Sequence, residues 1–310
     1  MSADPQEPLK GIGFKLLSVT VFMGMFALIK ATADEVPPGE AVFFRSFFAI
    51  PVILVWLYAT HAFSEGLRTS NPLGHLWRGL LGTTAMGCGF AGLGFLPLPE
   101  VTAIGYAAPL LVVVFAAIFL GEEVRMFRFT AVLVGLAGVT IVLAPSLTIG
   151  ASLDHAQALG AMLALMGAVC AALAQVTVRR LIATEKTATI VFWFSVTATG
   201  LSLFTIPYGW VLPSAPQLAI LVLTGLVGGV GQIFLTSSYR EADASLVAPF
   251  DYASILLALA IGYWVFDEVP SLTMLTGASI VVAAGILIIW RERQLGLERS
   301  RQRKAMTPQG

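Results

Sequence analysis

Runs of about 20 apolar residues, divided by short polar breaks, recur from one end of this chain to the other. A helix of about that length spans the hydrocarbon core of a bilayer. Lipid offers the backbone no hydrogen-bond partner, so such runs must be helices that close their own bonds. Only 12% of the 310 residues are charged and 57% are hydrophobic, too little charge to cover a water-facing surface of this size. The formal net charge is zero, so no bulk attraction to nucleic acid is expected. Cys88 and Cys170 both lie inside apolar runs, so no disulfide framework is expected either. The polar leader Met1 to Lys10 enters an apolar run without an obvious cleavage site, and reads as the start of a retained helix.

The pattern predicts an all-α polytopic membrane protein of ten transmembrane helices, at 11–32, 41–60, 77–96, 99–120, 127–145, 157–178, 187–207, 216–238, 244–266 and 272–290. Turn chemistry separates them at Pro37-Pro38-Gly39, Asn71-Pro72, Pro97, Pro145, Pro207-Tyr208-Gly209 and Pro270. The even-numbered breaks and the two tails carry Lys10, Arg68, Arg78, Arg125, Arg128, Arg179, Arg180, Lys186, Arg240 and a basic run from Arg291 to Lys304. The odd-numbered breaks carry no Lys or Arg, but hold Asp34, Glu35, Glu40, Asp154, Asp267 and Glu268. That asymmetry predicts a bacterial inner-membrane protein with both termini in the cytoplasm.

A shift of 145 residues lays the fourth helix on the ninth. Val101-Thr102-Ala103 then meets Leu246-Val247-Ala248, and Leu120-Gly121-Glu122-Glu123-Val124 meets Val265-Phe266-Asp267-Glu268-Val269. A shift of about 149 puts Gly11 on Gly160 and Lys30 on Arg179. The chain therefore reads as two five-helix repeats, residues 1–150 and 151–310. An odd number of helices in each inverts the second in the membrane. Inverted repeats are common in secondary transporters, which bind substrate near the midplane between them.

The stretch from Phe90 through Pro97, Pro99, Glu100 and Ile104, then Pro109 and Gly121-Glu122-Glu123, resembles the drug/metabolite transporter superfamily, and more narrowly its ten-helix EamA-type members. Glu40 followed by Arg45 is similar to the family's early motif. Ala244 to Pro249 with Asp267-Glu268 resembles the second copy, although Phe194 stands at the place of Arg45. The resemblance implies transport of a metabolite, inward or outward. Members similar to this chain around Glu40–Phe48 and Phe90–Ile104 are riboflavin uptake carriers, so riboflavin is the first named solute it implies.

Asp251 is the sharpest single candidate, because a carboxylate near the middle of a span costs about 2.5–3.5 kcal/mol on insertion scales. It reads as a substrate hydrogen-bonder or a proton-coupling group, or else as a protonated tie between helices. Pro249 lacks an N–H and frees a carbonyl nearby. Under the repeat shift Asp251 falls on Tyr106, so both are expected at the midplane. Arg45 reads as an attractor of an anionic or carbonyl-bearing solute, or as a snorkelling or Glu40- or Glu100-paired residue. Lys30 reads as snorkelling to the interface. Gln232 and Gln175 are polar groups at depth that read a ligand edge or join helices. Tyr106, Phe90, Phe115, Phe250 and Tyr252 form a candidate aromatic slot, against simple packing. Trp210, Trp264 and Trp290 read as interface anchors. The glycines of the third and eighth helices read as close packing, with sliding as an addition. Glu122-Glu123 and Asp267-Glu268 read as helix-end hydrogen bonds or gating salt bridges. The basic tail reads as an orientation signal, or as a contact with anionic membrane lipid.

The leading function is alternating-access transport of a small organic solute, with riboflavin uptake as the specific reading. Export of amino acids or other metabolites is the alternative, and a non-transporting regulatory or scaffold protein the alternative of another class. An enzyme is not expected: His61, His75 and His155 are read in breaks, with no metal-ligand spacing. No cofactor is implied, and no P-loop points to ATP. The helices pack as a monomer or as a homodimer.

Overall fold

A computed structural model describes residues 8–61, 63–121, 126–147, 155–181, 184–242 and 247–306. The described residues are helical, with no strand among them. The helices are α1 (Pro8–Lys30), α2 (Pro38–Phe47), α3 (Ala49–Ala59), the short α4 (Phe63–Gly66), α5 (Pro72–Leu93), α6 (Leu98–Gly105) and α7 (Ala107–Leu120). There follow α8 (Met126–Leu147), α9 (His155–Leu181), α10 (Thr187–Leu203), α11 (Ala215–Glu241), α12 (Ala253–Phe266) and α13 (Leu272–Met306). Short 3-10 turns occupy Ile206–Tyr208 and Ala248–Tyr252.

Among the described residues, seven segments are long and apolar enough to cross a membrane: Leu9–Lys30, Pro38–Ala59, Leu98–Leu120, Met126–Pro145, His155–Val178, Ala215–Ser238 and Leu272–Arg291. Ala188–Leu203 and Phe250–Phe266 are shorter apolar helices, and α5 is 22 residues long but carries His75 and Arg78.

Several expected helices differ in detail, each for a local reason. The second breaks at Phe48 and the fourth at Tyr106. Pro51 and Pro109 follow at the positions whose rings clash with the carbonyls of Phe47 and Gly105, the last residues of α2 and α6. The third starts five residues early, at Pro72, because Asn71 caps it by accepting from the Gly74 N–H at 2.9 Å and proline suits the first helical position. His75 and Arg78 therefore lie inside α5, not in a break. The fifth runs through Pro145 to Leu147. The ninth enters through a 3-10 turn, so Asp251 is not on a regular α-helix. The tenth continues to Met306, carrying the basic tail as helix. Glu122, Glu123, Arg125, Asp154 and Ala244 to Leu246 lie outside the described residues, as does the carbonyl that Pro249 frees.

The long contacts come in matched pairs. Helix α1 lies along α11 as α5 lies along α9; α12 packs on α1 as α6 and α7 pack on α9. Helix α8 lies along α13, α2 along α10, and α6 against α12. Small residues permit the closest approaches. A Cβ on Gly277 of α13 would sit 2.7 Å from the Gly138 carbonyl oxygen of α8, and one on Gly167 of α9 would sit 3.0 Å from the Ala85 carbonyl oxygen of α5. Large apolar side chains such as Leu133, Leu223, Leu256 and Val265 are exposed, as lipid-facing residues are.

Candidate functional site

Two charged groups inside the helical bundle come from different elements and meet. Lys15 Nζ of α1 lies 2.8 Å from Asp251 Oδ1, with the lysine side chain 1% exposed and the aspartate side chain 49%. Tyr106, at the break between α6 and α7, donates its hydroxyl to Ser254 in a short hydrogen bond and lies 3.3 Å from the Asp251 carbonyl. Ser254 in turn donates to the Asp251 carbonyl at 2.7 Å. Tyr252 closes the group, its ring edge-on to Tyr106 at 5.0 Å between centroids. The backbone is non-α at both places, a 3-10 turn at Asp251 and a proline-induced break at Tyr106, so carbonyls are available to side chains.

The far end of α1 makes a second ion pair with the same partner helix. Lys30 Nζ lies 2.7 Å from Glu268 Oε1, just beyond α12, and donates to the Leu93 and Leu96 carbonyls at 3.2 and 2.8 Å. Glu268 Oε2 accepts from the Leu98 N–H at 2.9 Å, an open donor at the start of α6. Lys30 is thus locked between helices and does not snorkel. Glu268 makes both the helix-end hydrogen bond and the salt bridge expected of it. A cavity of about 280 Å³ opens between the end of α1, the start of α2 and the end of α5, lined by Ile29, Asp34, Ala41, Phe90 and Phe95 among others.

Arg45 of α2 is 5% exposed, so it does not snorkel either. Its guanidinium carbon lies 5.8 Å from the centre of the Phe194 ring of α10, and that of Arg78 lies 3.7 Å from the same ring. Neither expected carboxylate pairs with Arg45: Glu40 accepts from the Val211 N–H at 3.1 Å, and Glu100 lies in the field of Glu268 and Lys30.

A model of the EamA-like transporter family matches residues 9–144 and, a second time, residues 158–290. The chain belongs to the EamA-like transporter family.

Named relatives of this EamA-like chain are transporters. It is 31% identical over 282 residues to the pseudopaline exporter CntI of Pseudomonas aeruginosa, covering 90% of this chain and 95% of that one. It is 30% identical over 289 residues to a riboflavin transporter of Rhizobium johnstonii, covering 92% and 89%. It is 26% identical over 288 residues to an S-adenosylmethionine uptake transporter of Rickettsia felis, covering 92% and 94%. A solved crystal structure is similar in fold over 92% of this chain and 98% of its own, with a TM-score of 0.65 at 22% identity. This EamA-like protein is a multi-pass bacterial membrane protein and a transporter of small solutes.

Of the candidates named from sequence, Asp251, Tyr106 and Tyr252 come together and Arg45 sits in a separate group. Gln232 is half-buried on α11, and Gln175 is exposed on α9; no hydrogen bond joins either side chain to these groups among the described residues. The aromatic slot divides. Phe90 packs edge-on to Phe26 and Phe115 tilts against Phe119, while half-buried Phe250 has no ring partner among the described residues. Trp264 is exposed at the end of α12, and Trp290 is exposed within α13 at the end of its apolar segment, but Trp210 is half-buried, donating to the Thr205 hydroxyl at 2.8 Å.

Sequence reasoning missed Lys15 and the depth of Arg78. The signal for Lys15 was the one that singled out Asp251, an ionisable side chain inside an apolar run. The signal for Arg78 was the Asn71-Pro72 cap, which puts it two turns into a helix. Among the described residues, no group of three or more His, Cys, Asp or Glu could hold a metal.

Proposed function

We propose that this chain is a secondary transporter working by alternating access between two inverted five-helix halves, residues 1–150 and 151–310, with both termini cytoplasmic. The observation that carries the reading is the Tyr106–Asp251 contact. These residues are equivalent under the 145-residue shift, each sits at a discontinuity in its helix, and the Tyr106 hydroxyl reaches the Asp251 carbonyl at 3.3 Å. Equivalent positions of two repeats touch where the pseudo-two-fold axis passes, and broken helices at that axis are where such transporters bind solute. The matched contacts of α1 with α11 and of α5 with α9 support the same symmetry, as does the doubled family match.

The ion pairs give the motion its gates. Lys15–Asp251 and Lys30–Glu268 join α1 to the α12 segment at points about 22 Å apart along α1. Opening either end parts one pair while the other still holds. The midplane site is formed by Asp251, Tyr106 and Tyr252, with Arg45 as the anion-attracting group of the neighbouring cluster; Phe250, Gln232 and Gln175 are outlying members.

Riboflavin uptake is the specific reading, supported by the resemblance around Glu40–Phe48 and Phe90–Ile104 and by the Rhizobium relative. The test is uptake of labelled riboflavin by a riboflavin-auxotrophic bacterium expressing the protein, with Asp251→Asn beside it. Saturable uptake above the empty vector, lost in the variant, is the expected result; no uptake from folded, inserted protein removes riboflavin. The second reading is export of amino acids or other metabolites. The buried Arg45 favours it, because riboflavin carries no charge to meet a guanidinium, and an export screen decides between the two.

A further inference from the structure

Arg45 and Arg78 reach the same ring from different helices, α2 and α5. The Nε of Arg45 and the Nε and Nη1 of Arg78 are buried without a hydrogen-bond partner. No carboxylate stands in ion-pair range of either guanidinium among the described residues. The two cations are close enough to repel each other. Glycine makes the room: a Cβ on Gly82 would strike Arg78 Nη1, and one on Gly228 of α11 would lie 3.3 Å from Arg45 Nε. Helices α2, α5, α10 and α11 therefore enclose two like charges with three buried donor nitrogens unused.

Such an arrangement contrasts with the two lysines, each of which has its carboxylate. Like charges in an apolar interior are strongly unfavourable alone, and orphaned buried donors call for an acceptor. The Phe194 ring offers its negative face but no full charge. The guanidinium fork matches the planar oxygens of a carboxylate or the oxygens of a phosphate. Two arginines match two negative charges.

We propose that Arg45 and Arg78, both against the Phe194 ring, bind the anionic group of the transported solute, and that the solute is an organic anion with at least two negative charges on carboxylate or phosphate. The inference rests on the transporter reading and takes its anionic arm. Lys15–Asp251 is internally neutral and contributes no net charge to the match.

The test uses the full chain purified in detergent, with melting temperature read against citrate, inorganic phosphate and the uncharged trimethyl citrate, chloride holding ionic strength constant. The expected result is a saturable rise with citrate or phosphate, about 5 °C at a hundredfold excess over Kd, and none with trimethyl citrate. A larger rise with citrate assigns carboxylate, and a larger rise with phosphate assigns phosphate. Arg45→Gln and Arg78→Gln each abolish the rise, Arg45→Lys keeps a weaker one, and exposed Lys10→Gln keeps all of it. The starting melting temperature of each variant shows that it is folded. No rise in the wild type, an unchanged rise in both glutamine variants, or an equal rise with chloride alone overturns the proposal. Riboflavin flux without an anion response removes this inference and leaves the transporter reading; an anion response without solute flux leaves an anion site at Arg45 and Arg78 but removes the transporter reading on which its role toward a solute rests.

Discussion

Lys15 Nζ sits 2.8 Å from Asp251 Oδ1 in a lopsided pair: the lysine side chain is 1% exposed and the aspartate side chain 49%. The two single deletions should therefore differ. Asp251→Asn takes the carboxylate from a buried ammonium, whereas Lys15→Met leaves a half-exposed carboxylate. Asp251→Asn is expected to cost about 2 kcal/mol, less than the loss of a partner from a fully enclosed pair, and Lys15→Met less again. Melting curves of both variants and of the double variant check this. Equal losses from the two singles would contradict the asymmetry.

Glu268 serves two helices at once, taking Lys30 on one oxygen and the Leu98 N–H on the other. Glu268→Ala removes both and is expected to lower stability by about 1–3 kcal/mol. Lys30→Met is milder, because Glu268 keeps the Leu98 N–H. Chemical denaturation in detergent gives the two values, and the order alanine at 268 below methionine at 30 is the outcome to look for.

Gly285 of α13 faces the Tyr252 hydroxyl so closely that a Cβ would overlap it. Gly285→Ala should push the Tyr252 ring off Tyr106 and cost about 1–3 kcal/mol by overpacking. Pairing it with Tyr252→Phe removes the clashing oxygen and should recover part of the loss. No recovery would place the strain elsewhere.

Glu185, in the break between α9 and α10, gives an acid limit. Burial pushes its carboxyl up, but hydrogen bonds from the Thr69 hydroxyl, the Ser70 N–H and hydroxyl and the Asn71 N–H outweigh it and hold the carboxyl below its ordinary value of 4.5. A depressed folded value means that the unfolded chain binds the proton first. This contribution is complete above the ordinary carboxylate range and fades as pH falls through the folded value. Melting temperature against pH should fall more steeply below about pH 4.5 in the wild type than in Glu185→Gln.

The class of molecule was legible because hydropathy is summed along the chain. A run such as 272–290 is apolar wherever it packs, and lipid leaves its backbone only the helix. Breaks were legible less evenly. Pro51 and Pro109 announce kinks four residues upstream, yet the apolar runs continue through Phe48 and Tyr106, so hydropathy alone predicts continuous second and fourth helices. The Asn71 cap was likewise visible, but the hydropathy boundary at residue 77 hid it. In the candidate site, depth alone was enough to single out Asp251 and the repeat to set Tyr106 beside it.

What the amino-acid sequence determined by itself is the membrane class, the family motifs and the positions where charge interrupts apolar runs. What only the tertiary structure decided is which charges meet. Lys15 reaches Asp251 and Lys30 reaches Glu268, while Arg45 and Arg78 reach no carboxylate among the described residues but share one aromatic ring. A salt bridge needs its atoms within about 4 Å, and residues this far apart in the chain come that close only where helices cross. The crossings depend on small residues such as Gly138, Gly228 and Gly277 and on neighbours contributed by distant segments, so no local pattern records the pairing.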